Sequence, residues 1–74
     1  MVATMTPAQA VARFGPVPLD LTTVDGNAFM LIGAFQRAAR RAGWPDAAIA
    51  AVREEATSGN YDHLLRTLIE VTES

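Results

Sequence analysis

Residues 27–45, NAFMLIGAFQRAARRAGWP, contain the longest helical pattern in the chain. Asn27 is a typical N-cap residue, and Gly43 is typical of a helix end. Between them, apolar side chains recur every three or four residues, which predicts an amphipathic helix over 28–42. The predicted apolar stripe consists of Ala28, Leu31, Phe35, Ala38 and Ala42, and Phe29 and Ile32 widen it.

The end of this helix is rich in positive charge. Arg37, Arg40 and Arg41 lie in its last two turns, where cations favour the negative end of the helix dipole. Arg37 shares a face with Arg40 or Arg41, so the three side chains could also grip phosphate or dock on an acidic protein surface. Gly43 is expected in the left-handed position of a Schellman stop, with Trp44 folding back on the helix.

Two further helices are predicted downstream, over about 45–57 and 60–72, separated by Ser58-Gly59. Asn60 is expected to cap the second of them. The chain is expected to fray after Thr72. The inward positions are Ala48, Ile49, Val52 and Ala56 in the first helix, and Tyr61, Leu64, Leu65, Leu68 and either Val71 or Ile69 in the second.

A helix and a strand are predicted upstream of residue 27. Thr6-Pro7-Ala8-Gln9 resembles a capping box and predicts a short helix that ends at Gly15-Pro16. Residues 17–24 alternate apolar and polar side chains and contain β-branched residues, which predicts one strand. Pro18 cannot donate a ladder hydrogen bond and Asp20 is poor in a sheet centre, so the strand is expected at an edge.

The predicted strand has no evident partner, because no other segment alternates with a period of two. Either the segment is extended coil lying across the helices, or it pairs antiparallel with the same segment of a second copy. The second interpretation is favoured because so short a chain buries only about 60% of its unfolded surface. The residues expected at this homodimer contact are Val17, Leu19, Leu21 and Thr23.

Length and composition predict one small domain over residues 1–74, with a disordered tail at 1–5. The patterns above make it mainly α-helical, with a short N-terminal helix, one strand and a three-helix core. The chain is 50% hydrophobic and has no cysteine, which excludes disulfides and thiolate chemistry. Six arginines, no lysine and eight carboxylates argue against a general nucleic-acid binder. No apolar run approaches the roughly 20 residues that a bilayer requires, and no signal peptide is evident, so a cytoplasmic protein without membrane contact is expected.

Candidate chemistry is sparse. Glu54, Glu55, Asp62 and His63 form a titratable cluster, but neighbours in a helix diverge, whereas helical ligands to one metal lie three or four residues apart. The sequence therefore predicts no enzyme, metal or cofactor. Amphipathic aromatics near helix ends occur both in cores and in binding hot spots. The candidate partner-binding residues are Arg37, Arg40, Arg41, Trp44 and Tyr61.

Two motifs, DGNAF at 25–29 and EATSGNYDHLL at 55–65, resemble a family of small uncharacterised proteins carried by bacteria, their phages and plasmids. The resemblance covers about residues 19–72. In that family, Asp usually stands in place of Asn60, and both residues cap helices. The family has no established chemistry. The resemblance implies an accessory protein of a mobile element, such as an inhibitor of a host defence system.

These observations predict a non-enzymatic protein–protein interaction module that forms a homodimer and binds an unidentified protein. The alternative is a small nucleic-acid-associated regulator that uses Arg37, Arg40 and Arg41, although nucleic acid is not the favoured partner. A hydrolytic enzyme is the weakest interpretation.

Overall fold

Residues 5–74 are described by the structure, a computed structural model. Their elements are α1 (Pro7–Phe14), β1 (Val17–Pro18), a 3-10 helix (Leu21–Thr23), α2 (Ala28–Arg41), α3 (Asp46–Ala56), α4 (Tyr61–Val71) and β2 (Thr72–Glu73). The expected mainly α fold, with a strand and a helical core, is confirmed. Residues 1–4 of the expected tail lie outside the described residues, and Met5 packs half-buried against the core.

Side-chain caps fix where the helices begin. The Thr6 hydroxyl accepts a hydrogen bond from the Gln9 amide (3.1 Å), and the Gln9 side chain accepts one from the Thr6 amide (2.9 Å), as the capping box predicts. Asn27 caps α2 through the Phe29 amide (2.8 Å), and Asn60 caps α4 through the His63 amide (2.9 Å). Each cap satisfies a backbone donor that a helix start otherwise leaves unpaired.

A Schellman motif ends α2, as the sequence predicts. The Trp44 amide donates to the Ala39 carbonyl (3.0 Å), and the Gly43 amide donates to the Arg40 carbonyl (3.1 Å). Gly43 has φ +89°, a left-handed conformation that residues with a Cβ adopt at a cost. The reversal directs the chain into α3, which packs against α2.

The core lies where all four helices meet. Its largest fully buried side chains are Phe35, Ile49, Leu68, Val17, Val52 and Val71. The Trp44 indole packs against Phe14 and Phe35, with ring centroids 5.9 and 5.8 Å apart, and donates its N–H to the Gly15 carbonyl (3.1 Å). This bond satisfies the polar atom of a buried aromatic and holds the end of α1 against the start of α3.

The strand prediction over 17–24 is wrong in extent. Only Val17 and Pro18 form a strand. Leu21–Thr23 form a 3-10 turn instead, because the Asp20 carboxylate accepts hydrogen bonds from the Thr22 amide (3.0 Å) and hydroxyl (2.6 Å). Such local side-chain bonds compete with strand formation. The Thr22 hydroxyl, followed by its amide, lowers the pKa of Asp20 below its usual range.

The expectation of a strand paired with a second copy is corrected, because the partner of β1 is β2 of the same chain. The two strands are parallel, with Val17 opposite Thr72 and Pro18 opposite Glu73. Among the residues expected at a dimer contact, Val17 is fully buried in its own core, and the Leu19 amide donates to the Glu73 carbonyl (3.0 Å). Leu21 and Thr23 belong to the 3-10 helix instead.

Some face assignments in α2 and α4 also need correction. Ala42, expected inside, is exposed, and Phe29 points to solvent. Of the two residues considered for the last inward position of α4, Val71 is buried and Ile69 is 62% exposed. The chain does not fray after Thr72, since β2 follows at once. Among the described residues, no helix is long and apolar enough to cross a membrane.

Candidate functional site

An apolar groove of about 310 Å³ lies at one end of the helical core. It is formed by the start of α2, the end of α3 and the start of α4. We call it the motif groove; its lining residues are Ala28, Phe29, Ile32, Ala56, Thr57, Gly59, Asn60, Tyr61 and Leu64. Pockets that enclose a small molecule have volumes of about 300 Å³ or more, so this groove is at the lower limit for such a site. A groove of this size can accommodate one or two protein side chains.

Phe29 is the most exposed large apolar side chain at this groove. It is 87% exposed, and the neighbouring Met30 is 51% exposed. Phe29 lies two residues before the buried Leu31, which places it on nearly the opposite side of α2. The helical period therefore directs Phe29 away from the core.

The groove is where the two sequence motifs meet. Ala28 and Phe29 come from the motif at 25–29. The lining residues of α3, of α4 and of the turn between them come from the motif at 55–65. Ile32, in α2, is the one lining residue outside both motifs. The Tyr61 hydroxyl donates a hydrogen bond to the Gly26 carbonyl, which ties the two motifs together. Tyr61 is 45% exposed, so its ring forms part of the groove wall while its polar end is held.

The turn between α3 and α4 is fixed by its own hydrogen bonds. The Thr57 hydroxyl donates to the Arg53 carbonyl (2.9 Å), and the Ser58 hydroxyl donates to the Glu55 carbonyl (2.7 Å). A Cβ on Gly59 would lie 3.0 Å from Cβ and Cγ of His63, so a side chain at this position would require His63 to move by a few tenths of an ångström. These contacts give the second motif a structural role in shaping the groove.

Glu55 and His63, two members of the titratable cluster named from the sequence, come together in this turn with Ser58, which was not among the predicted members. His63 Nε2 lies 2.8 Å from both the Glu55 carbonyl and its carboxylate Oε2, and 3.4 Å from the Ser58 hydroxyl oxygen. Both close neighbours are acceptors, so Nε2 bears the proton and donates. A base that activates a serine needs a free lone pair towards it. This geometry is a structural clamp and does not form a nucleophilic triad.

The arginines proposed for partner binding lie at the other end of α2. Arg37, Arg40 and Arg41 are all exposed. The Arg37 guanidinium lies back along the helix beside Gly33, and Arg40 Nε is 3.8 Å from the Asp46 carboxylate in an exposed ion pair. The pair offsets part of the positive charge on which the nucleic-acid interpretation depends.

The two aromatic candidates have different environments. Trp44 is only 4% exposed and belongs to the core, whereas Tyr61 lines the groove. Phe29, which was expected to widen the apolar stripe of α2 together with Ile32, lies at the groove and is exposed. The described residues contain no cluster of three side chains arranged to hold a metal ion.

Comparisons of this chain with protein-family models, with curated proteins and with solved structures find no match. The family resemblance of the two motifs therefore stays a prediction.

Proposed function

We propose that this protein is a small non-enzymatic interaction module that binds an apolar segment of another protein in the motif groove. The observation that supports the proposal is the 87% exposure of Phe29 at the groove. Burying such a ring is favourable by roughly 1.5–3 kcal/mol, and the isolated fold leaves that gain unused. A partner that covers Phe29 would recover it, and exposed apolar patches commonly mark interaction sites.

The chemistry of the groove supports binding over catalysis. Its wall is formed mainly by aliphatic and aromatic side chains, and the one ionisable side chain in the lining, Tyr61, has its hydroxyl engaged by Gly26. The nearby His63 donates its Nε2 proton to Glu55. These groups hold the groove in shape, and none of them is aimed at a ligand as a nucleophile or a base.

The proposal extends to a cytoplasmic location and to the role that the family resemblance implies, an accessory protein of a mobile element such as an inhibitor of a host defence system. A protein of this kind acts by capturing another protein, which an exposed apolar groove suits. A homodimer is left out of the proposal, because β1 has its partner in the same chain.

The test compares Phe29→Ser with Ile69→Ser as a matched control. Both substitutions remove an exposed apolar side chain from a helix, but Ile69 lies near β2, in a separate depression lined by Leu19 and Leu21. Immobilised wild-type protein and both variants are incubated with a bacterial lysate, and the retained proteins are quantified. Circular dichroism first establishes that the variants are folded.

We expect at least one protein to be retained by the wild type and by Ile69→Ser and to be lost with Phe29→Ser. The same retained set on all three proteins would overturn the proposal, because binding would then not depend on the groove.

A further inference from the structure

Asp25 and Gly26 form an Asp-Gly pair in the loop between the 3-10 helix and α2. In such a pair, the amide nitrogen of the glycine can attack the side-chain carboxyl carbon of the aspartate and close a succinimide ring. Glycine favours this attack, because it has no Cβ to crowd the nitrogen and its backbone rotates freely. The pair is therefore a candidate site of backbone modification.

The structure leaves both reactive groups accessible. Asp25 and Gly26 are exposed and lie outside the helices and strands of the described residues. Within residues 5–74, no hydrogen bond engages the Gly26 amide. Asp25 Oδ1 accepts a hydrogen bond from the Asn27 amide (3.0 Å), which directs the carboxyl group forward along the chain, towards the peptide that must react.

The other three aspartates of the chain differ from Asp25 in the residue that follows and in the local backbone. Asp20 precedes a leucine, and its carboxylate accepts hydrogen bonds from both the amide and the hydroxyl of Thr22. Asp46 and Asp62 lie in the first turns of α3 and α4, and each precedes a residue with a Cβ. Helical hydrogen bonds oppose the backbone rotation that ring closure requires.

We propose that Asp25 is a site of spontaneous isomerisation to isoaspartate in the folded protein. The Gly26 nitrogen attacks Cγ of the un-ionised Asp25 carboxyl group, the N–Cγ bond forms, and the amide proton leaves with the carboxyl hydroxyl as water. Water then adds to the backbone carbonyl carbon of Asp25 and breaks its bond to the Gly26 nitrogen. The main chain now runs through Cγ, the former backbone carbonyl carbon carries the free carboxyl group, and the mass is unchanged.

Isomerisation at this position alters the start of α2. The oxygen that accepts the Asn27 amide becomes part of a main-chain peptide, and an extra methylene enters the chain directly before Gly26, whose carbonyl accepts the Tyr61 hydroxyl. Asn27 caps α2 through the Phe29 amide, so the change reaches the motif groove. The tie between the two motifs should therefore loosen. The inference is independent of the proposed function, because the reaction needs no partner.

The experiment incubates the purified protein near neutral pH, with a sample unfolded in urea in parallel. Trypsin digestion and electron-transfer fragmentation then locate isoaspartate and distinguish it from aspartate of the same mass. A sample digested without incubation gives the background. Asp20 and Asp25 fall in one tryptic peptide, so Asp20 is an internal control.

Two variants test the role of the loop. Gly26→Ala crowds the attacking nitrogen, and it should fold, because a Cβ there would make an ordinary contact of 3.5 Å with the Tyr61 hydroxyl and the φ of Gly26 is not positive. Tyr61→Phe keeps the ring but removes the hydrogen bond to the Gly26 carbonyl.

We expect isoaspartate to accumulate in the folded protein about tenfold faster at Asp25 than at the other three aspartates. Gly26→Ala should slow the reaction about fivefold or more, because of the added Cβ. Tyr61→Phe should speed it about two- to tenfold, because the Gly26 peptide then rotates more freely. In the isomerised protein, the NMR signals of Tyr61, the one tyrosine in the chain, should shift.

Equal accumulation at Asp25 and Asp20 would overturn the inference, as would isoaspartate at Asp25 that forms only in urea. An unchanged rate in Gly26→Ala would show that the Gly26 nitrogen is not the attacking group. Unshifted Tyr61 signals in the isomerised protein would contradict the loosening of the tie between the motifs. The lysate comparison tests the proposed function separately from all of these.

Discussion

Gly43 and Gly33, at the end and in the middle of α2, differ in how well the backbone at each position would accept a side chain. Gly43 has φ +89° just after α2 ends, where a side chain strains the backbone even though a Cβ would meet nothing within 4 Å. Gly33 lies inside α2, where a Cβ would come 3.4 Å from the mobile end of the Arg37 side chain, which can move away. The two sites therefore separate backbone strain from steric crowding.

Alanine at these two positions should change stability in opposite directions. Gly43→Ala should lower the free energy of unfolding by about 1 kcal/mol, because a Cβ is disfavoured at positive φ. Gly33→Ala should raise it by about 0.5–1 kcal/mol, because alanine restricts the unfolded chain and favours the helix. Thermal unfolding followed by circular dichroism checks both, since 1 kcal/mol shifts Tm by about 4–8 °C in a domain of this size. Shifts of the same sign would contradict the interpretation.

At the scale of elements, the pairing of β1 with β2 joins the segment that follows α1 to the last residues of the described chain. The ladder covers the fully buried Val17 and follows directly on Val71, which is also fully buried. Thr72 and Glu73 are therefore part of the fold.

Removing residues 72–74 should destabilise the protein by about 1–3 kcal/mol, through lost ladder bonds and the exposure of Val17. Removing Ser74 alone is the control, since Ser74 lies outside β2. Urea unfolding measures both effects. Because the ladder lies within one chain, the Tm of the full chain should be the same at low and high micromolar concentration. A Tm that rises with concentration would instead indicate that the chain associates with a second copy of itself.

The sequence predicts an element well when the residues that decide it are close together in the chain, and poorly when they are far apart. The caps Thr6, Asn27 and Asn60 and the stop at Gly43 were predicted because each is decided within a few residues. The sheet was not, because β2 is two residues long and pairs with a segment more than fifty positions earlier. Likewise, both motifs were noticed, but their meeting at the groove depends on how α2, α3 and α4 pack.

At the scale of the whole molecule, the two ends of α2 differ in chemistry. The start of α2 adjoins the apolar motif groove, and its last two turns carry Arg37, Arg40 and Arg41. The net charge of −2 does not reveal that three of the six arginines are clustered at one end of α2. The apolar surface of the motif groove and the cluster of arginines therefore lie at different ends of the same helix.

Phe29 and Phe35 provide the sharpest separation of binding from folding, because they are the same residue type in the same helix. Phe35 is fully buried against Trp44, so Phe35→Ala should cost about 3–5 kcal/mol of stability. Phe29 is 87% exposed, so Phe29→Ala should change stability by no more than about 0.5 kcal/mol. Urea denaturation of the two variants measures the difference. A loss above about 1 kcal/mol for Phe29→Ala would show that its ring packs within its own chain, and the groove would then lose the free apolar surface on which partner binding depends.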